Sequence, residues 1–296
     1  MPFEFKKLLN HGTTNPIVAR LSLGALKLLE KCTSPKELKD NIGELYVNSL
    51  VKKLLRCWEI KERFHEEFKA AIESYKPAPA GRAVAVPQIA RLEEECHNFL
   101  YEAKNYIRDL LQVINLIHGT DFKEASEFTR AKKGGLSLID FAKKTFGEQD
   151  AKTRFLEEAS AFVEHMVSFR NAVEHPDGYN GHLRIENFTR DPDGKLAEPS
   201  WYQEKDGKVL RPTSSIRSDL DAAIHNLLTL GEDVLVSWVA ENLNPAMQIA
   251  MIPEPQRDPK CPIKYVVTLS TKLQEQLAKA SGNKDSTAGE GGTQSD

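Results

Sequence analysis

Residues 155–176 read FLEEASAFVEHMVSFRNAVEHP, and this stretch decides the fold class. Its apolar residues recur every three or four positions, the spacing of one buried helix face. They are Phe155, Ala159, Phe162, Met166, Phe169 and Val173. Val163, Val167 and Leu156 widen the same arc, and Arg170 falls near the middle of the widened arc, because successive residues rotate by about 100°. A buried guanidinium is costly unless an anion meets it, so the sequence predicts a core-facing helix that carries one chemically unusual group.

The end of the same helix holds a second unusual group, His175. Pro176 disfavours the α conformation in the residue before it, so the helix is predicted to end around Glu174 or His175. An imidazole at this point titrates near neutral pH. In a continuous helix Arg170 and His175 would point about 140° apart. Both side chains can therefore contact the same ligand group, such as a phosphate, only if the helix end bends or a second chain completes the site.

Helical periodicity also covers most of the chain on either side of this stretch. The other predicted helices span residues 15–31, 34–75, 88–118 and 215–243. Between Pro176 and Pro212 the pattern changes to turn signals separated by the strand-like pieces LRIENF and PSWYQ. A further short strand is predicted at Ile263–Leu269. We therefore predict an all-α fold, an up-and-down helical bundle with a small β-hairpin-like insertion.

The predicted domain order follows from these patterns and from shifts in composition. It comprises an N-terminal helical segment (1–76), a Pro/Ala-rich linker (77–87), a helical bundle (88–250) with the β insertion at about 180–212, a C-terminal extension with a short strand (251–271) and a disordered tail (272–296).

Composition narrows the classes of protein. The chain has 296 residues, 40% of them hydrophobic, and a formal net charge of -3 from 40 basic and 43 acidic residues. Such a balance does not favour a non-specific binder of nucleic acid or of membranes. No apolar run approaches the roughly 20 residues of a membrane span. The four cysteines are far apart, as expected for free thiols in a reducing compartment. We therefore expect a soluble, cytoplasmic protein with no membrane contact.

The common enzyme signatures are missing from the sequence. It has no glycine-rich phosphate loop, no GxGxxG after a strand, no HExxH and no GxSxG. The eight histidines are scattered without ligand spacing, although His175 and His182, with Asp177 nearby, leave a metal site open. We expect no metal and no cofactor, because zinc sites generally need three or four well-placed ligands.

The segment Arg170-Asn171-Ala172-Val173-Glu174-His175 resembles the motif of the HEPN superfamily (higher eukaryotes and prokaryotes nucleotide-binding domains). Members are helical bundles with an arginine, often followed by asparagine, and a histidine after four to six residues at the end of a long helix. Here four residues separate Arg170 from His175, and Asn171 fills the second position. The resemblance covers roughly Gln88 to Leu243, without the N-terminal segment.

The resemblance implies metal-independent endoribonuclease activity, often that of a toxin or defence effector, through attack of a ribose 2′-hydroxyl on the adjacent phosphate. It assigns His175 as general acid/base and Arg170 as the clamp on the phosphate. Asn171, four residues before His175, would orient the imidazole or contact the substrate. Implied partners are RNA or a nucleotide, a second copy of the chain in a homodimer, and an antitoxin or regulatory protein.

Other interpretations of the same residues remain open. Arg170 and Glu174 form an i,i+4 pair that could simply brace the helix, and His175 would be favoured at a helix C-terminus by the macrodipole. The chain would then be a non-catalytic interaction module, or a nucleotide-binding regulator without turnover. A basic cluster could track an RNA backbone or be a solvated surface. It consists of Arg130, Lys132, Lys133, Lys143 and Lys144.

Overall fold

The computed structural model describes residues 10–76, 85–190 and 195–282. The helices in chain order are α1 (Pro16–Val18), α2 (Ala25–Lys31), α3 (Lys36–Leu45), α4 (Val51–Ser74), α5 (Leu92–His118), α6 (Leu138–Phe146), α7 (Ala151–Glu174), α8 (Ile216–Glu241) and α9 (Thr271–Gly282). Two π-helical turns, Ala19–Gly24 and Tyr46–Leu50, join α1 to α2 and α3 to α4. Short 3₁₀ turns lie at Ala125–Phe128 and Glu254–Gln256.

The prediction of an all-α fold is wrong, because strands form three small antiparallel sheets in the described residues. The strands are β1 (His182–Glu186), β2 (Thr189–Arg190), β3 (Leu196–Ala197), β4 (Ser200–Lys205), β5 (Lys208–Ser215), β6 (Met247–Met251) and β7 (Tyr265–Leu269). The sheets are β1-β4-β5, β2-β3 and β6-β7. The fold is therefore mixed, with helices predominant.

The insertion after α7 is thus a three-stranded sheet where a hairpin-like element was predicted. β1 pairs with β4 from His182↔Glu204 to Glu186↔Ser200, and β5 adds to the other edge of β4. Trp201 anchors this sheet, since it is fully buried, packs edge-on against Phe169 of α7 and donates from Nε1 to Asp219 Oδ2 of α8 (2.6 Å). An apolar ring on one strand therefore fixes the sheet to two bundle helices.

The helix of the opening stretch, α7, lies where the sequence predicts it. Asp150 caps its start by accepting a hydrogen bond from the backbone N–H of Lys152 (2.8 Å). Its last helical residue is Glu174, and His175 has already left the helix with φ -135° and ψ 68°. The predicted helix end before Pro176 is confirmed.

One hydrophobic core unites the segments on either side of the predicted linker. α5 packs against α4, α7 and α8, and buried residues of α4, such as Leu54 and Ile60, belong to the same core as Phe99 of α5 and Leu227 of α8. Residues 77–84 of the linker lie outside the described residues. The N-terminal helices and the bundle therefore share one interior.

The C-terminal part also differs from the sequence prediction. β6 pairs with β7 from Met247↔Leu269 to Met251↔Tyr265, and only β7 was anticipated. α9 covers Thr271–Gly282, where a disordered tail was predicted to begin; residues 283–296 lie outside the described residues. In the part of the chain that the structure covers, no helix has both the length and the apolarity that crossing a membrane requires.

A close approach between α5 and α8 depends on Gly231. The fully buried Tyr106 donates from Oη to the carbonyl of Leu227 (2.9 Å), and Tyr46 donates to the carbonyl of Gly231 (2.6 Å). A Cβ atom built on Gly231 would lie 2.0 Å from Tyr106 Oη. The position therefore has no room for a side chain, although glycine itself disfavours a helix interior.

Gly231→Ala is expected to lower the free energy of unfolding by about 3 kcal/mol, at the upper end of overpacking effects. Helix propensity alone would predict that the substitution raises the free energy of unfolding by up to about 1 kcal/mol. The sign of the measured change therefore shows whether the close contact with Tyr106 is present. Chemical denaturation measures the change. The matched control is Gly12→Ala, since no atom lies within 4 Å of its Cβ position. A Gly231→Ala variant as stable as this control would contradict the packing.

Candidate functional site

Polar and aromatic side chains of α5 and α7 meet along one line at the protein surface, which we call the α5–α7 seam. The α5 residues stand at i, i+4 and i+7 and so share one helix face, and the α7 residues come from the sequence motif. The seam consists of His97, Tyr101, Lys104, Arg170, Asn171 and Glu174.

Arg170 is mostly covered, with 12% of its side chain exposed. Its Nη2 lies 2.9 Å from Glu174 Oε1, and its guanidinium carbon lies 5.3 Å from the ring centre of Tyr101. Nε of Arg170 is buried and donates to no acceptor in the described residues. The arginine is thus fixed by an ion pair and an aromatic face, while one N–H group keeps unused hydrogen-bonding capacity.

Lys104 ties the two helices together. Its Nζ donates to Asn171 Oδ1 (2.9 Å) and to Glu174 Oε2 (2.7 Å), so both carboxylate oxygens of Glu174 are engaged. Burial acts to raise the pKa of Glu174, but the hydrogen bond from Lys104 and the nearby cationic groups outweigh it and hold that pKa below its ordinary value. Glu174 is therefore ionised at neutral pH and faces two cations.

Asn171 bonds Lys104, whereas the sequence suggested that it orients the imidazole of His175. The i,i+4 alignment behind that role requires a continuous helix, and His175 lies beyond the helix end with an exposed side chain. The geometry therefore assigns Asn171 to the contact between helices.

His97, which the sequence reasoning missed, lies at the same end of the seam as His175. The C-terminal end of α5 lies beside the start of α7, since Ile114 and His118 line a small cavity together with Lys152 and Leu156. Nearer the start of α5, Lys104 binds Glu174 at the end of α7. The helices thus run antiparallel, and α5 continues from Lys104 toward His97 in the direction in which α7 ends. The pKa of His97 is lowered, chiefly by burial and further by the charge of Arg170, while Glu93 opposes the shift.

The residues of the basic cluster are largely paired with carboxylates. Arg130 binds Glu164 (2.7 Å), Lys132 binds Glu127 (3.0 Å) and Lys143 binds Glu157 (2.8 Å). Lys133 and Lys144 are exposed. Arg130 also lies 5.5 Å from the ring centre of Tyr179, which is 78% exposed. These carboxylates offset most of the positive charge that would attract a phosphate backbone.

The described ranges contain no group of three or more His, Cys, Asp or Glu side chains placed to hold a metal ion. The side chains of the seam itself offer one imidazole, one guanidinium, one ammonium group, one carboxylate, one amide and a half-exposed aromatic ring, and the imidazole of His175 lies just past the end of α7.

Comparison with known proteins gives no relative. No protein-family model matches the chain, and neither the curated proteins nor the solved structures contain a significant match.

Proposed function

We propose that the protein is an endoribonuclease that cleaves RNA at the α5–α7 seam without a metal ion. The supporting observation is Arg170, whose guanidinium is held by Glu174 and Tyr101, whose buried Nε–H meets no acceptor in the described residues, and whose charge acts on His97. A fixed guanidinium stabilises charge that develops on a phosphoryl group. The proposal agrees with what the HEPN resemblance implies.

The proposed reaction transfers two protons. His97, neutral at pH 7 because its pKa is lowered, accepts the proton of a ribose 2′-hydroxyl as the oxygen attacks the adjacent phosphorus. The bond from phosphorus to the 5′-oxygen breaks, and His175 donates a proton to that oxygen. Arg170 and Lys104 offset the negative charge on the phosphoryl oxygens. The products are a 2′,3′-cyclic phosphate and a 5′-hydroxyl.

Tyr101 supplies the expected contact to a base. Its side chain is half exposed (50%) although one face lies against Arg170. Exposed aromatic rings bind single-stranded RNA by stacking, which contributes about 1–3 kcal/mol per base. Single-stranded RNA is therefore the proposed substrate class. A homodimer, and any antitoxin partner, stay predictions.

Purified full-length protein is expected to cleave a single-stranded RNA oligonucleotide in excess EDTA. The 2′-hydroxyl is the nucleophile, so the fragments should carry 2′,3′-cyclic phosphate and 5′-hydroxyl ends, identified by mass spectrometry. The same oligonucleotide with 2′-deoxyribose throughout is the control and should remain intact. Cleavage of the deoxy substrate, or cleavage that EDTA abolishes, would contradict the mechanism.

A non-catalytic interaction module is the second candidate, and a specific observation favours it. Both oxygens of Glu174 and the amide oxygen of Asn171 are engaged within the seam, which suits a brace between helices. The module would then use exposed Tyr101 to bind a protein partner. Folded protein that cuts no RNA in the assay above would favour this candidate.

A further inference from the structure

A cavity of about 460 Å³ lies apart from the seam, between α1, the middle of α4, α8 and the segment 254–262. This volume falls within the range of small-molecule sites in proteins. Its polar and aromatic lining comprises Asn15, Arg20, Trp58, Lys61, Asp221, His225, Glu254 and Arg257. The rest of the wall consists of prolines and aliphatic side chains, including Ile17, Ile224 and Leu228.

Arg20 is the most buried charge in this lining, with 8% of the residue exposed. It is carried by the π-helical turn Ala19–Gly24, and such turns occur frequently at functional sites. Its Nε (2.8 Å) and Nη2 both donate to one oxygen of Glu232. A guanidinium has five N–H groups, and the other three bond no acceptor in the described ranges.

Arg257 supplies a second guanidinium. Its Nε donates to the carbonyl of Ile252 (3.0 Å), which fixes the side chain on the C-terminal segment. No carboxylate lies within ion-pair distance of Arg257 among residues 10–76, 85–190 and 195–282. Lys61, by contrast, is satisfied by Glu62 (2.8 Å) and Asp221 (3.5 Å). Among the arginines and lysines that line the cavity, Arg257 is thus the one without an ion-pair partner in these ranges. Among the acidic residues of the lining, the exposed Glu254 is the one without such a partner in these ranges.

The flat side chains of the lining complement this charge. Trp58 is half-buried, and His225 is exposed on α8. The Trp58 ring meets the ring of His11 nearly at a right angle, with 5.1 Å between the ring centres. Neither Trp58 nor His225 makes a side-chain hydrogen bond within the described part of the chain, so their N–H groups remain for a ligand. The cavity thus combines guanidinium donors, two planar rings and aliphatic walls.

We propose that this cavity binds a small organic anion with a planar ring. The anionic group would be held by Arg257 and the free N–H groups of Arg20, and the ring would lie against Trp58 and the aliphatic wall. The cavity and the seam share no residue, so this proposal is independent of RNA cleavage.

The probe for the test is 8-anilinonaphthalene-1-sulfonate, an aromatic anion that fluoresces in apolar sites. Full-length protein is expected to bind one molecule, and Arg257→Gln should raise the dissociation constant about tenfold, because a charge-assisted contact is lost. Trp58→Leu should have a similar effect. Arg56→Gln is the matched control and should stay within about twofold, since Arg56 also lies on α4 but outside the cavity lining.

The neutral analogue N-phenyl-1-naphthylamine separates anion binding from unspecific apolar binding. It should bind about tenfold more weakly than the sulfonate, and near-ultraviolet circular dichroism verifies that each variant is folded. Equal affinity for the neutral amine, an unchanged dissociation constant in folded Arg257→Gln, or no binding at all would overturn the proposal.

Discussion

Replacing His97 or His175 with alanine is expected to lower the rate constant of RNA cleavage about 10²- to 10⁴-fold, the range that one positioned acid or base contributes. His97 has the lowered pKa that suits a base at neutral pH. His175 lies just past the end of α7 with an exposed side chain, so a bound RNA can approach it. Single-turnover kinetics with a short RNA measures the change. His11→Ala, which lies outside the seam and pairs with Glu59, is the matched control.

The pH profile separates the two proposed roles from mere structural support. Deprotonation of a general base gives the limb on which the rate rises with pH. His97→Ala should remove this limb, because the pKa of His97 sets it, whereas His11→Ala should keep it. A His97→Ala variant that keeps the limb, or histidine variants of the site that lose no more activity than His11→Ala, would contradict the proposed proton transfers.

Arg20→Met is expected to lower the free energy of unfolding by about 3–5 kcal/mol, the cost of leaving one partner of a buried ion pair alone. Arg20 and Glu232 are both almost fully buried, and Arg20 makes two hydrogen bonds to the carboxylate. Lys264, at 3.9 Å from the same carboxylate, is too distant for a hydrogen bond. Denaturant unfolding monitored by circular dichroism gives the value.

The double variant Arg20→Met/Glu232→Leu should regain most of this loss, because two apolar side chains of similar volume leave no buried charge. Lys31→Met, which breaks an exposed pair with Glu30, is the control and should change stability by less than about 1 kcal/mol. A double variant no more stable than Arg20→Met alone would contradict the proposed pairing.

The Arg20→Met variant should also be less stable at pH 7 than at pH 5. Burial raises the pKa of Glu232, and Arg20 opposes that shift. Without Arg20 the pKa in the folded state rises further, so the folded protein retains a proton that the unfolded chain has released. Stability then falls as the pH rises from the ordinary value of 4.5 through the folded-state pKa.

Local patterns in the sequence predicted the ends of the long helices. Pro176 places the end of α7 at Glu174, and Gly119, which adopts φ 66°, ends α5 at His118 as expected. β6 was missed because its five residues, MQIAM, are few and include one β-branched residue, so the local strand signal is weak and the strand is held by pairing with β7. Pairing between distant segments carries no local signal.

The candidate site was predictable only in part, for the same reason. Arg170 and its i,i+4 pair with Glu174 follow from one helix, and that pair is present. His97 and Lys104 enter the site only because α5 turns this face toward α7. The spacing of His97, Tyr101 and Lys104 could have indicated a polar stripe on one face of α5. It could not have indicated that this stripe contacts α7.

The Arg20–Glu232 pair also bears on how the chain folds during synthesis. The two residues are 212 positions apart in sequence, and Tyr46 likewise bonds the carbonyl of Gly231. On the ribosome, the N-terminal helices would expose Arg20 and an unfilled apolar face until α8 has emerged. We therefore infer that this interior closes late, and that a nascent chain halted before residue 232 is a target for chaperones and proteases.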